Sequence, residues 1–221
     1  MARISTPGIW LPGPLNTINS TSPTGQADIA GNPYFMGMNP GKMIVVGTSE
    51  AQSAAAAGTT LYDGAYQVVQ LDSGATAANA LQGMPAYIRL DSGPTQGALP
   101  ETAYNVPAVT TADVATLVGD TALLAGVFIN PATVGGVANG PTPGNYTVIF
   151  VGGGRVQTLN AGAATIGNTV FPSAGGAATW AAGQTTPPTT GVNWGQAVQT
   201  TGAAGLGLTY FPEIIFRFGG Y

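Results

Sequence analysis

The sequence predicts an all-β protein: a small β-barrel or β-sandwich domain with an extended N-terminal arm and at most one or two short helices. Three observations carry this reading. Apolar residues make up 44% of the 221, enough for a core, whereas disorder needs low hydrophobicity and high net charge. The chain is punctuated by 34 Gly and 17 Pro, as expected of many turns between short strands. Its apolar runs are short and rich in β-branched and aromatic residues, the composition of pleated surfaces. The length suits one domain plus an arm, divided here into residues 1–42 (arm) and 43–221 (barrel or sandwich).

Residues 1–42 carry Pro7, Pro12, Pro14, Pro23, Pro33 and Pro40 with glycines between them. Neither a helix nor a central strand survives that spacing. Ile9, Trp10, Leu11, Tyr34, Phe35, Met36 and Met38 are nonetheless apolar, which points to an arm that lays its aromatics on another surface. From Met43 the pattern turns β. Met43–Val46, Ala65–Asp72 and Met84–Asp91 read as strands, and the last two each end in Leu-Asp-Ser-Gly, at 71–74 and 90–93. Asp accepts a backbone hydrogen bond and Gly supplies a positive φ, so both tetrapeptides read as turns. Ser49–Ala57 and Thr110–Leu117 read as short helices, each with a capping hydroxyl.

Ala122–Asn130 reads as a strand and Pro131–Gly140 as a flexible loop, followed by a turn at Thr142-Pro143-Gly144 and a dense β run at Asn145–Val151. Gly152-Gly153-Gly154 reads as a chain reversal, after which Arg155–Leu159 returns in alternation. Shorter strands follow at Ala164–Phe171, Ala177–Trp180 and Ala197–Thr200, with a loop at Gln184–Thr190. The chain finishes in Leu206–Phe218, where Pro212 splits a strand or bulges it at an edge.

Charge is nearly absent. Lys, Arg, Asp and Glu make up 6% of the residues, and there is no His and no Cys, against roughly 25% charged in an ordinary domain. A monomer of this size exposes on the order of 9,000 Å², so the uncharged gaps approach the ~800 Å² that one partner gives to a standard interface. The surface reads as one meant to be occupied by neighbours. Arg3, Lys42, Arg89, Arg155 and Arg217 are scattered, and no basic cluster favours nucleic acid. No apolar run reaches the length of a membrane span. No signal peptide is expected at the N-terminus, so the sequons at Asn19 and Asn145 read as chance matches.

Lack of His removes the general base of a Ser-His-Asp triad and the usual zinc ligands; lack of Cys removes thiolate chemistry and disulfides. Two-carboxylate chemistry has candidates in Asp63, Asp72, Asp91 and Glu213, each beside turn residues or near a terminus, where a solvated acid is the default. Asp72 and Asp91 lack the further carboxylates of a calcium loop. Gly37–Met43 ends in Gly-Lys but has Met where a P-loop places Ser or Thr. Gly152–Arg155 has no following helix to aim at an anion. The sequence therefore predicts no enzyme, no cofactor and no metal site. Aromatics near both ends (Trp10, Tyr34, Phe35, Tyr210, Phe211, Phe216, Phe218 and Tyr221) are candidate contact residues, since Tyr and Trp are frequent interface anchors.

The runs Gly64–Asp72 (GAYQVVQLD), Leu124–Asn130 (LAGVFIN) and Thr142–Ile149 (TPGNYTVI), with the Gly167-Asn168-Thr169-Val170 step, resemble the capsid decoration (cement) proteins of tailed bacteriophages. The resemblance covers about residues 64–172 and leaves 1–42 and 185–221 aside. It implies a β-barrel or sandwich, a homotrimer, a major capsid protein as partner, and a place on the outer surface of the virion after assembly in the bacterial cytoplasm. It implies no catalytic residue, and no nucleic-acid or membrane contact. The alternatives are a tail, spike or fibre component, or a small jelly-roll shell protein. No fibre-like repeat is visible beyond the paired Leu-Asp-Ser-Gly.

Overall fold

The computed structural model describes residues 43–47, 62–71, 75–88, 108–111, 124–129, 133–134, 137–138, 146–173, 178–184 and 195–215. The regular structure among these residues is almost entirely strand. In chain order they form β1 (Met43–Val46), β2 (Gly64–Leu71), β3 (Pro85–Ile88), β4 (Ala108–Thr110), β5 (Leu124–Phe128), β6 (Thr133–Val134), β7 (Val137–Ala138), β8 (Tyr146–Asn160), β9 (Thr169–Pro172), β10 (Trp180–Gln184), β11 (Gly195–Ala197) and β12 (Gly205–Ile214). A single 3-10 turn at Ala77–Asn79 is the one helical piece among the described residues. The all-β expectation holds, and the sheet closes into a barrel.

Closure happens twice, on one strand. Pairing runs from β2 through β4, β3 and β5 to β8, and β8 pairs back with β2. It then runs from β8 through β10, β9 and β11 to β12, and β12 pairs back with β8. The 15-residue β8 is thus common to two strand circuits. Gly152 pairs with Ala65 of β2 and with Ile214 of β12, which places those strands on opposite edges. Phe150 pairs with Tyr66 of β2 and Val127 of β5, so β5 and β12 follow one another along one edge. Asn160 pairs with Gly205 of β12 and Trp180 of β10, so β10 follows β2 along the other.

The change of circuit falls on Gly152-Gly153-Gly154. The expected chain reversal is absent: the three glycines lie inside β8, and Arg155–Leu159 continues the same strand. Gly152 and Gly153 have φ of 116° and 67°, and the facing β12 shifts register between Phe211 and Ile214. The result is a bulge, which bends a strand and sharpens its twist without ending it. Pro212 sits inside that register shift, in the bulge its ring favours. Gly154 lies against the backbone of Asp63 and Gly64, where a Cβ would collide with the Asp63 carbonyl. The Arg155 N–H donates to that same carbonyl at 2.9 Å.

A second joint is Gly83, in the turn before β3 (φ 85°). Its N–H donates to the Phe128 carbonyl of β5, and its carbonyl accepts from the Leu159 N–H of β8 at 2.8 Å. The same carbonyl accepts from the buried Trp180 indole N–H at 2.7 Å. A Cβ here would sit 2.7 Å from the Leu159 nitrogen, closer than real Cβ contacts come. One peptide unit thereby ties the first circuit to two strands of the second.

The first circuit holds an aliphatic core of Val69, Leu71, Val109, Phe128, Ile149 and Val151 with several alanines, and Met43 and Met84 pack against it. The opposite face of β2 and β8 presents Tyr66 and Phe150, also buried. These continue into the second circuit as an aromatic chain. Tyr66 meets Phe150 edge-on at 5.5 Å, Phe150 meets Phe211 at 6.0 Å, and Phe211 meets Trp180 edge-on at 5.6 Å. Both faces of the first half of β8 are therefore covered, which explains its unbroken apolar run.

Other expectations need adjustment. The loop expected at Pro131–Gly140 contains the paired β6 and β7, joined across two glycines. Ala164–Phe171 is not one strand: Ala164 makes an isolated bridge to Thr201, and a turn precedes β9. The strand expected to end at Trp180 starts there, and that expected at Ala197–Thr200 ends at Ala197. Thr110 closes β4 where a helix was expected to begin; residues 112–117 of that segment lie outside the described residues. So do the arm at 1–42, the helix at 49–57 and both Leu-Asp-Ser-Gly turns beyond Leu71.

Gly154→Ala forces the Asp63 backbone away from β8 and lowers stability by roughly 2–4 kcal/mol. Gly162→Ala, at a position with nothing within 4 Å of a built Cβ, changes stability by less than ~0.5 kcal/mol. Urea unfolding midpoints check both, and equal midpoints would remove the crossing at Gly154 from the account.

Candidate interaction surface

The second circuit buries small and polar side chains beside its aromatic pair, Phe211 and Trp180. Inward positions on β8 and β12 hold Val156, Thr158, Asn160, Gly207, Thr209 and Phe211, all buried. Ala197 of β11 joins them. Small and polar side chains fit the narrow interior of five short strands. Their polar atoms meet one another, as burial requires. Thr158 Oγ1 lies 2.7 Å from Thr209 Oγ1, 3.1 Å from Asn160 Oδ1 and 3.3 Å from the Gly207 carbonyl.

The alternate positions point outward and are the more apolar set. Leu159 of β8 faces Leu206 of β12, Gln157 faces Leu208, and Arg155 faces Tyr210. On the other edge of β12, Gln196 faces Tyr210, and the Val198 N–H donates to the Leu208 carbonyl. Leu206, Tyr210 and Val198 are 40%, 39% and 37% exposed; Leu159 and Leu208 are half-buried. Ile166, 64% exposed, stands on a turn whose Gly167 N–H donates to the Ala197 carbonyl. Three strands about 4.8 Å apart and about five residues long make this face at most on the order of 250 Å², and the Gln82–Gly83 turn borders it, with the Gln82 amide donating to Gln157 and Gly83 beside the Leu206 side chain.

Arg155 is the only charged side chain in these rows, and Asp63 neutralises it. The Arg155 Nε–H donates to Asp63 Oδ1 at 2.8 Å, and Nη2 lies 2.7 Å from the same oxygen. Asp63 leads into β2, where the buried Tyr66 hydroxyl donates to the Tyr62 carbonyl at 2.8 Å and accepts from the Tyr62 N–H at 3.3 Å. This fixes the entry to β2 as a tyrosine corner does in other β domains. Burial pushes the Tyr66 phenol well above the ordinary tyrosine range. Burial also raises Tyr62, with the Arg155 charge pulling the other way.

Of the predicted contact residues, Tyr210 lies on the outward face. Phe211 does not: it is 1% exposed and packs between Phe150 and Trp180, so it is core. The alternation of β12 that exposes Tyr210 buries its neighbour. Trp10, Tyr34, Phe35, Phe216, Phe218 and Tyr221 lie outside the described residues. Among the candidate acids, Asp63 is held by Arg155 and Glu213 is exposed beside Pro212; Asp72 and Asp91 lie outside the described residues. Among the described residues no group of three acids could hold a metal ion, and no helix is long and apolar enough to cross a membrane. Sequence reasoning missed Leu206, Leu208 and Val198. The signal was the alternation of Leu, Leu and Tyr with Gly, Thr and Phe along 206–211, read without knowing which side was the interior.

In comparisons with known proteins, no family model, curated protein or solved structure matches the chain.

Because the folded Tyr66 binds its proton more tightly than the unfolded chain, which titrates near pH 10, its contribution is complete below that pH. It is lost as pH rises further, by up to about 1.4 kcal/mol per unit. Tyr66→Phe is expected to remove most of this alkaline slope, leaving the lesser part due to Tyr62, and to cost about 1 kcal/mol at neutral pH. Urea midpoints measured from about pH 8 to pH 11 check this; an unchanged slope counts against a buried, hydrogen-bonded phenol.

Proposed function

We propose that the protein is a structural component of a virus particle, a capsid decoration (cement) protein that binds the outside of a bacteriophage head and stabilises it. The observation that carries this reading is the outward face of β8, β12 and β11, where the exposed Leu206, Tyr210 and Val198 gather and Arg155 is paired with Asp63. Exposed Leu, Val and Tyr gathered in adjacent rows support a contact role where the same residues scattered singly would not. Gln157 and Gln196 at their side lose little on desolvation compared with charged groups. The whole chain extends the pattern, with 6% charged residues and no His or Cys. The cement-protein resemblance of residues 64–172 supports the same reading.

In this role the partner is the major capsid protein, the protein self-associates as a homotrimer, and it works on the virion surface after assembly in the bacterial cytoplasm. It performs no catalysis and engages neither nucleic acid nor membrane. Many modest contacts repeated around symmetry axes then supply avidity that no single contact has.

Deletion of residues 1–40 is expected to leave the β domain folded and to weaken attachment to heads. Leu206→Asp is expected to reduce occupancy at least tenfold, because a carboxylate must be desolvated wherever this face is covered in the assembled layer. Quantitative gels of purified particles read both. Full occupancy with either variant sinks the reading for the element that it alters.

A further inference from the structure

The outward face of the second circuit is too small for a domain-on-domain contact. Its ~250 Å² is about a third of the ~800 Å² per partner of a standard interface. It matches the footprint of one extended segment, about six residues at ~3.4 Å each and some 10 Å wide. The occupant must also be uncharged, since the face offers no free charge to pair with.

The chain itself contains such a segment. Residues 4–27 hold no charged side chain and include Ile9-Trp10-Leu11. Pro7, Pro12, Pro14 and Pro23 remove backbone donors, which suits side chains laid across a sheet face and not a strand added to a sheet edge. Trp10 is the sort of anchor that dominates a small contact.

Strand polarity says whose segment it is. Met43 pairs with Gln67, and Gln67 pairs with Ile149 of β8. Val46 pairs with Gly64, beyond the Ala65–Gly152 pair. β1 therefore runs from the level of Ile149 toward the second circuit. The N-terminal end of β1, at Met43, points away from the second circuit. The face centred on Gln157 lies about 26 Å behind that end, eight residues along β8 at ~3.3 Å each. Reaching the chain's own face needs a full reversal, while a copy placed ahead along the same axis is met directly. The stretch from Leu11 to Met43 spans up to ~110 Å when extended.

We infer that residues 4–27 of one copy dock, through Trp10 and its neighbours, on the Leu206–Leu208–Tyr210–Val198 face of a second copy. The contact is heterologous, one copy's arm on the next copy's face, and it closes into a ring when the rotation between copies permits. It goes beyond head binding, because it requires nothing but the protein.

The absence of Cys makes the test clean in the full-length chain. Trp10→Cys and Val198→Cys are made in separate preparations, mixed and oxidised, and the products are run on a non-reducing gel. A dimer-sized heterologous product is expected in the mixture, at least tenfold above a control in which the exposed Thr76 in the first circuit carries the second cysteine. A chain carrying both cysteines is expected to give a ladder of linked copies. Closure within a single chain, without change of size, overturns the inference in favour of a folded-back arm. No specific product with cysteines at 9, 10 or 11 overturns it outright. Leu206→Asp in the full chain is expected to lower the mass measured by light scattering, with near-ultraviolet dichroism confirming the fold; an unchanged oligomer counts against the contact. Loss of head binding with an intact cross-link leaves this inference standing and rejects the capsid role alone.

Discussion

Everything in this barrel registers on β8. A strand has two edges, and here both are used twice: β2 then β10 along one, β5 then β12 along the other. Two circuits can share one strand only if that strand bends where the neighbours change. A bend with L-residues would leave side chains in the path of the crossing backbone. Gly154 removes that obstacle, and Asp63 and Gly64 occupy the space, while Gly152 and Gly153 supply the positive φ of the bend. The Asp63–Arg155 pair and the Asp63 carbonyl then fasten the crossing from both side chain and main chain. Gly83 repeats the solution farther along the same edge of β8, where its one carbonyl serves both Leu159 and Trp180.

That constraint separates what the sequence disclosed from what it hid. The apolar runs at Met43–Val46, Gly64–Leu71, Leu124–Phe128 and Tyr146–Val151 were legible because these strands line an aliphatic core or are covered on both faces. The triple glycine was misread because glycine signals a reversal and a close crossing in the same letters. Only the partner at 63–64, some ninety residues away, decides between them. The strands of the second circuit were legible in place but not in extent. Those expected at Ala164–Phe171, Ala177–Trp180 and Ala197–Thr200 shift against the observed Thr169–Pro172, Trp180–Gln184 and Gly195–Ala197, because runs this short carry too few alternations to fix their ends.

The same narrow interior produced the candidate surface. Phe211 and Trp180 take much of the aromatic space at the end nearest the first circuit. Farther along, Thr158, Asn160, Gly207 and Thr209 line the inside. Since side chains alternate along a strand, the larger apolar residues at 206, 208 and 210 are left outside. Tyr210 was found by its aromatic ring and the leucines were not, because scattered exposed leucines are ordinary and only their adjacency across strands is informative. Phe211 was misassigned for the complementary reason: one position along the strand moves a ring from the surface to the core.

Such a surface explains why low charge and assembly belong together. At about 25 cal/mol per Å² of apolar area, covering a face of some 250 Å² that also holds Arg155, Gln157 and Gln196 yields at most about 6 kcal/mol. Association alone costs an estimated 4–15 kcal/mol in lost translation and rotation. A single occupied face is therefore weak or barely stable. When several copies are held by symmetry, the later contacts form at high effective concentration and the association cost is not repeated in full. Charge on the face would upset this balance, because each unpaired ion has to be stripped of water at every contact. Arg155 is tolerated there because Asp63, fixed by the β8 crossing, already neutralises it. The joint that lets one strand serve two circuits thus also keeps the outward face fit for a partner.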